Sequence, residues 1–167
     1  MKRYFYAGGE KHELDAADDR LAVDHVRARN AGLSDLVDDT SPISKLPGGI
    51  TLVDRAAFSS TVYNQLEAAG VVQPVYRSGS AFVVLRPEVR VELDPGQQDA
   101  ALEAVKASSV ASHVTGSSVE RISLQPKSGS AEDALDLANF IYENARPAAS
   151  SVRMLQVVAK PKSEDRR

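Results

Sequence analysis

The chain has no cysteine and no tryptophan, and only 5% of its 167 residues are aromatic. Without cysteine there is no disulfide, no thiol nucleophile and no thiolate metal site, and the redox compartment stays undecided. With so few aromatics the core must be assembled from Val, Leu, Ile and Ala. No apolar run approaches the roughly 20 residues that cross a bilayer as a helix, so no membrane partner is expected. An excess of one charge is missing too: 20 Lys and Arg face 23 Asp and Glu, for a formal net charge of −3. Nucleic acid calls for a basic face and is not an expected partner. The opening "MKRYFYAGGEKHEL" has two basic residues but no apolar stretch behind them, because Gly8 and charges intervene. It does not read as a secretory signal, and cytoplasmic residence is the default expectation. A piece of a longer, exported precursor would read the same way.

Catalytic signatures are missing as well. The three histidines are His12, His25 and His113. Asp24 and His25 are neighbours, and neighbours on a strand point to opposite faces, so they make a poor catalytic pair. His113 precedes a Thr-Gly-Ser sequence, but no G-x-S-x-G elbow surrounds any serine and no acid stands at a triad spacing. There is no H-x-x-x-H or H-E-x-x-H, and "LDAADD" lacks the Gly and closing Glu of a calcium loop. Gly8-Gly9 and Gly48-Gly49 lack the G-x-G-x-x-G or Gly-Lys-Ser/Thr context of a phosphate cradle and read as turns. Glu88 and Glu92 are better housed on an exposed strand face than in acid–base work. The expectation is a protein that is not an enzyme and takes no cofactor or metal.

The composition, 43% hydrophobic and 26% charged, is that of an ordinary globular protein. "RYFYAGGEKHEL" predicts a hairpin, Arg3–Ala7 and Glu10–Leu14 about a Gly8-Gly9 turn. "RLAVDHV" predicts a third short strand after the polar "DAADD", and residues 26–49 read as loop with one helical turn. "ITLVD" is a strand and "RAAFSSTVYNQLEAAG" a helix, with Phe58, Val62, Leu66 and Ala69 on one face and Gly70 as its stop. "VVQPVYRSGSAFVVL" gives two strands about Ser-Gly-Ser, with Pro74 at an edge or bulge.

From Pro87 the pattern is more regular. "EVRVEL" alternates, with Val89, Val91 and Leu93 on one face and Glu88, Arg90 and Glu92 on the other. A helix capped by Asp94, with Pro95 in its first turn, carries Ala101, Leu102 and Val105 inward. Two strands about Gly116 follow. A second helix is capped by Ser130, buries Ala134, Leu135, Ala138, Ile141 and Tyr142, and is ended by Pro147. "SVRMLQVV" is the last strand. Residues 88–158 thus run β-α-β-β-α-β, the ferredoxin-like order, with two helices on one face of an antiparallel sheet and the other face open. The expected fold is α+β: a β-rich N-terminal part with one helix (1–86), a ferredoxin-like part (87–160) and a flexible tail (161–167).

Several stretches also resemble a known family. "VVQPVYRSGSAFVVLRPEVRVELDP" is similar to the "v-x-PVy-x-x-G-x-x-vvL-x-pEvrV" segment of N-terminal propeptides of subtilisin-like serine peptidases, fervidolysin-type prosegments in particular. "DALDLANFIYE" resembles the "g-x-x-A-L-x-l-A-N-x-l-y-E" helix before the propeptide's final strand, and "YFYAGGEKHELDAADDRLAVD" resembles its opening strand pair. The similarity runs loosely from Arg3 to about Val158. No D-S/T-G, H-G-T or G-T-S-x-A-x-P motif of a peptidase domain is present, and "MLQVVAKPK" stands where family members often read "P-N" or "P-D-F".

The resemblance implies a non-catalytic module that inhibits a subtilisin-like serine peptidase, assists its folding, or both. The partner would be met in trans or within a longer precursor. In the family the open sheet face packs on the enzyme's surface helices and the C-terminal extension lies in the substrate cleft. That assigns Glu88, Arg90, Glu92 and Glu120 to a docking face, and Val157, Val158, Ala159, Lys160, Pro161 and Lys162 to the cleft. Two other readings compete: a propeptide-derived adaptor that has no peptidase partner, and a small ligand- or nucleic-acid-binding ferredoxin-like domain. Net acidity and the lack of aromatic pairs on "EVRVEL" and "ERISLQ" count against the last.

Overall fold

The structure, a computed structural model, describes residues 3–158. It is mixed α/β, an antiparallel sheet with five α-helices among the described residues. In chain order these are β1 (Arg3–Ala7), β2 (Glu10–Asp24), α1 (His25–Asn30), α2 (Ser34–Val37), β3 (Ser44–Leu46), β4 (Ile50–Asp54), α3 (Ser60–Ala68), β5 (Val72–Ser78), β6 (Ala81–Glu92), α4 (Gln98–Ala107), β7 (Ser112–Ser117), β8 (Arg121–Pro126), α5 (Ala131–Ala145) and β9 (Ala149–Val158). The contacts divide into two units, and not at the expected 86/87 boundary. Of the described residues, 3–14 group with Leu85–Met154, and Asp15–Val84 group with 155–158. Pro87 does not interrupt the chain, because β6 runs straight through it. β6 pairs with β5 as far as Val84 and with β8 from Val89, so Pro87 stands where β6 changes partner on that side.

In the first unit the strand order is β9-β6-β8-β7. β8 is antiparallel to both β6 and β7. Alternation decides which side is buried. Val89 and Val91 on β6, Ile122 and Leu124 on β8, and Val152 on β9 are all at most 3% exposed. Small residues of the helices, Ala101 and Ala104 of α4 and Ala134 and Ala138 of α5, are buried too. α5 packs against both β8 and α4. Each Leu or Ile sealed in such a core stabilises it by about 1.5–3 kcal/mol relative to exposure.

α5 starts where Ser130 Oγ accepts from the Asp133 N–H at 3.2 Å. It ends at Arg146, which caps it in the left-handed region with φ 47°, one residue before the expected stop at Pro147. The helix buries Ala131, Leu137 and Asn139 beyond the expected stripe. The reason is a second covering on its other side, the N-terminal hairpin. β1 pairs with β2 from Arg3↔Leu14 to Ala7↔Glu10. Gly8 and Gly9 turn the chain with φ of 61° and 80°, the positive pair a two-residue hairpin loop demands.

α4 begins later than expected. Its cap position is Gln97, and Asp94 sits in the preceding turn. Gln97 Oε1 accepts from the N–H groups of Asp94 (2.7 Å) and Ala148 (3.1 Å), while its Nε2 donates to the Arg146 carbonyl (3.1 Å). One side chain thus ties the start of α4 to the end of α5.

In the second unit the order is β3-β4-β2-β5-β6. The two short strands expected at Glu10–Leu14 and from Arg20 are one strand, β2. Between Ala16 and Leu21 its register slips against β5, where Tyr76 is followed as partner by Pro74. This bulge accommodates the polar "DAADD" and explains Pro74. β2 stops because Asp24 Oδ1 accepts from the N–H groups of Val26 (3.1 Å) and Arg27 (3.0 Å), capping α1. His25 and Val26 are therefore helical, and residues 26–49 hold most of α1, all of α2 and β3, more than the loop with one helical turn that was expected. The helix expected over 55–70 is shorter. A 3₁₀ turn at Arg55–Ala57 comes first, and Ser59 Oγ then caps α3 through the Val62 N–H at 3.2 Å.

Leu21, Val23, Val53 and Val72 pack under Ala28, Val37 and Leu66 of the three helices. On the opposite side Ala22, Ile50, Leu52, Val75 and Val84 form a second cluster with Phe82 and Leu155.

Candidate functional site

The first unit's sheet presents a polar face opposite its helices. Along β6 this face carries Glu88, Arg90 and Glu92, half-exposed, exposed and exposed in turn, between buried Val89 and Val91. On β8 it carries Arg121, Ser123 and Gln125 between buried Ile122 and Leu124. Register sets the neighbours: Arg90 lies opposite Ser123 and Glu92 opposite Arg121. Thr115 of β7 and Arg153 of β9 complete a shallow depression of about 510 Å³.

Charge on this face is mixed. Arg153 Nη1 lies 3.1 Å from Glu88 Oε1, and the arginine side chain is 59% exposed. Such a pair contributes about 0–1 kcal/mol to stability, since water competes for both ions. Arg90 and Arg121 make no ion pair among the described residues. The face therefore offers two guanidiniums and the Glu92 carboxylate to whatever approaches it. Apolar side chains are absent from its exposed positions on β6 and β8, so it is a surface for charged and hydrogen-bonding contacts.

Three of the four residues expected on the sheet face lie together on β6. Glu120 does not. It sits in the turn between β7 and β8, where Ser118 Oγ accepts from the N–H groups of Glu120 (3.2 Å) and Arg121 (3.1 Å). The turn falls at 118–120, and Gly116 is inside β7, opposite Ser123 after a register shift. Arg121, Ser123, Gln125 and Arg153 were not singled out from the sequence. The alternation in "RISLQP" would have found the first three. Of the expected cleft segment, Val157 is half-buried near the end of β9 and Val158 is that strand's last residue. Ala159, Lys160, Pro161 and Lys162 lie outside the described residues.

The histidines are scattered. His12 stacks on Phe5 at 5.1 Å between ring centroids, His25 Nε2 is 2.9 Å from Thr51 Oγ1, and His113 is exposed on β7. Among the described residues no three His, Asp or Glu side chains are grouped to hold a metal ion, and no helix is long and apolar enough to cross a membrane. The sequence matches no family model and no curated protein.

Proposed function

We propose that this chain is a non-catalytic, propeptide-like protein that binds a subtilisin-like serine peptidase as inhibitor, folding chaperone or both. The polar face of β6 and β8 docks on the enzyme, and the segment from Val157 through Lys162 enters its substrate cleft. The observation that carries this reading is the sheet β9-β6-β8-β7, buried on its helix side and polar on the other. Counted within the β-α-β-β-α-β run, that order is 4-1-3-2, which supports a ferredoxin-like unit. Exposed Arg90, Arg121 and Glu92 suit a face that steers and orients a partner, a role charged residues fill better than that of raw affinity. The segment after β9 supplies backbone groups for strand addition beside a cleft.

The test is titration of subtilisin-like peptidase activity with the full chain. Dose-dependent loss of activity is expected, weakened by Arg90→Glu and abolished by truncation after Val157. Inhibition that survives the truncation unchanged removes the cleft segment from the mechanism. Failure to bind any such enzyme replaces this reading with that of an interaction adaptor.

A further inference from the structure

The seating of the hairpin on α5 leaves a cleft of about 460 Å³ lined by Tyr4, Val110, Leu135, Asn139, Phe140 and Glu143, among others. It belongs wholly to the first unit and shares no residue with the polar sheet face. Two acceptors on its α5 wall are held in place and unspent. Glu143 receives the hydroxyls of Tyr4 (2.9 Å) and Tyr6 (2.6 Å) on the same oxygen, Oε2. Its Oε1 has no partner among the described residues. Asn139 is only 6% exposed, and its Nδ2 donates to the Tyr4 carbonyl at 2.8 Å. That bond sets the orientation of the amide, and no group among the described residues donates to its Oδ1.

Residues four apart on a helix share a face, with about 5–6 Å between their Cβ atoms. Both free oxygens can therefore reach one small donor group. The other charges at the cleft are spoken for. Arg3 lies 3.1 Å from Asp136 and 3.5 Å from Glu132, and Lys11 sits over the Tyr4 ring at 4.0 Å. The two tyrosine hydroxyls both donate to Glu143 Oε2 and leave Oε1 to the cleft. What remains is a carboxylate oxygen and an amide oxygen, both held in place by their partners on the hairpin, beside the apolar side chains of the cleft. An anion would face the Glu143 and Asp136 carboxylates there, and a neutral apolar group would leave both oxygens unpaired, at a cost.

We propose that this cleft binds a primary alkylammonium group, its N–H donors on Glu143 Oε1 and Asn139 Oδ1 and its stem against Val110, Leu135 and Phe140. The group arrives as a free small amine or as a lysine side chain of another protein. The full chain is titrated with n-butylammonium and followed by NMR through the Asn139 side-chain amide, with n-butanol and butyrate as controls. Saturable shifts with a millimolar Kd are expected for the amine alone. Glu143→Gln should weaken binding by about tenfold or more, as expected for loss of a charged hydrogen-bond partner. Since that variant also touches the hairpin, Val110→Phe narrows the cleft from the opposite wall and should abolish binding with the Asn139–Tyr4 bond intact. An Nα-acetyl-lysine amide that binds more tightly than butylammonium assigns the site to a protein lysine, and one that is excluded while butylammonium binds assigns it to a free amine. Equal responses to butylammonium and butanol, or no saturable response to the amine, overturn the proposal.

Discussion

The hydroxyl of Tyr6 donates to Glu143 Oε2 at 2.6 Å across 137 residues of sequence. This bond is the main cause that pushes the Tyr6 phenol up from 10.0 to about 12, with lesser help from desolvation and the Glu143 charge. Tyr4 moves in the same direction, chiefly through its own bond to Glu143. A phenol raised on folding contributes stability that is fully present below its unfolded pKa and is lost as pH climbs through the folded one. The clamp on the hairpin should therefore hold below pH 10 and fail by about 12. Tyrosinate absorbance should show a late-ionising fraction that Glu143→Gln removes. Its absence from the wild-type protein would mean the bond is not formed in solution.

Gln97 makes three hydrogen bonds that join α4 to the end of α5. Gln97→Ala should cost about 1.5–4.5 kcal/mol, since each of the three bonds is worth about 0.5–1.5 kcal/mol. Gln97→Glu keeps both acceptor contacts and loses the donor to the Arg146 carbonyl, so its urea midpoint should lie between the two.

Ile122 and Val119 are three residues apart and should behave as opposites. Ile122 is 0% exposed in the sheet core, whereas Val119 is 72% exposed in the turn before it. Ile122→Ala should cost about 2–5 kcal/mol through lost burial and the cavity left behind. Val119→Ala should stay within about 0.5 kcal/mol of wild type. Comparable costs in urea unfolding would contradict the burial described for β8.

On the polar face, stability and binding should separate. Arg90→Ala and Arg121→Ala remove exposed side chains that make no ion pair among the described residues and should shift stability by no more than about 0.5 kcal/mol. Arg153→Ala breaks an exposed pair and should cost about 0–1 kcal/mol. If this face meets a peptidase, the same variants should slow association and blunt its salt dependence. Normal association with all three together would take the docking role away from this surface.

The hairpin should matter to the unit it covers. Tyr6 stacks on Tyr142 at 4.5 Å, and Asn139 is bonded to the Tyr4 carbonyl. A fragment spanning 85–158 lacks these contacts and should unfold at lower urea than the same fragment with residues 1–14 supplied by fusion. Equal midpoints would show that the hairpin is only an attachment.

Local signals were the ones legible in the sequence. The Gly8-Gly9 turn, the "ITLVD" strand, the Ser130 cap and the alternation of "EVRVEL" each rest on residues a few positions apart. Where the reading failed, a tertiary circumstance had overridden a local one. "DAADD" has the polarity of a loop, yet Ala17 inside it is 4% exposed because the register slip folds the segment into β2. Asp24 looked like a strand residue beside a histidine, and its role as a cap depends on where the chain turns. Pro87 suggested a boundary, but β6 runs from Ala81 to Glu92 through it and changes partner from β5 to β8 around it. Along β6 the alternation does separate Glu88, Arg90 and Glu92 from buried Val89 and Val91. Glu120 was misplaced because the turn falls after Gly116, and Arg153 was missed because it comes from the last strand. The cleft on α5 was invisible, since Asn139 and Tyr4 stand 135 residues apart.

That separation bears on the order in which the protein can be completed. Translation releases the hairpin, residues 3–14, long before the helix it rests on, which begins only at Ala131. Until α5 leaves the ribosome, Tyr4 and Tyr6 have no carboxylate to meet, and an isolated two-stranded hairpin is marginally stable in water at best. The hairpin should thus be made early and ordered late, its docking delayed by the closure of a long loop. During that interval the nascent chain carries an open strand pair, and its protection falls to whatever attends the exit tunnel.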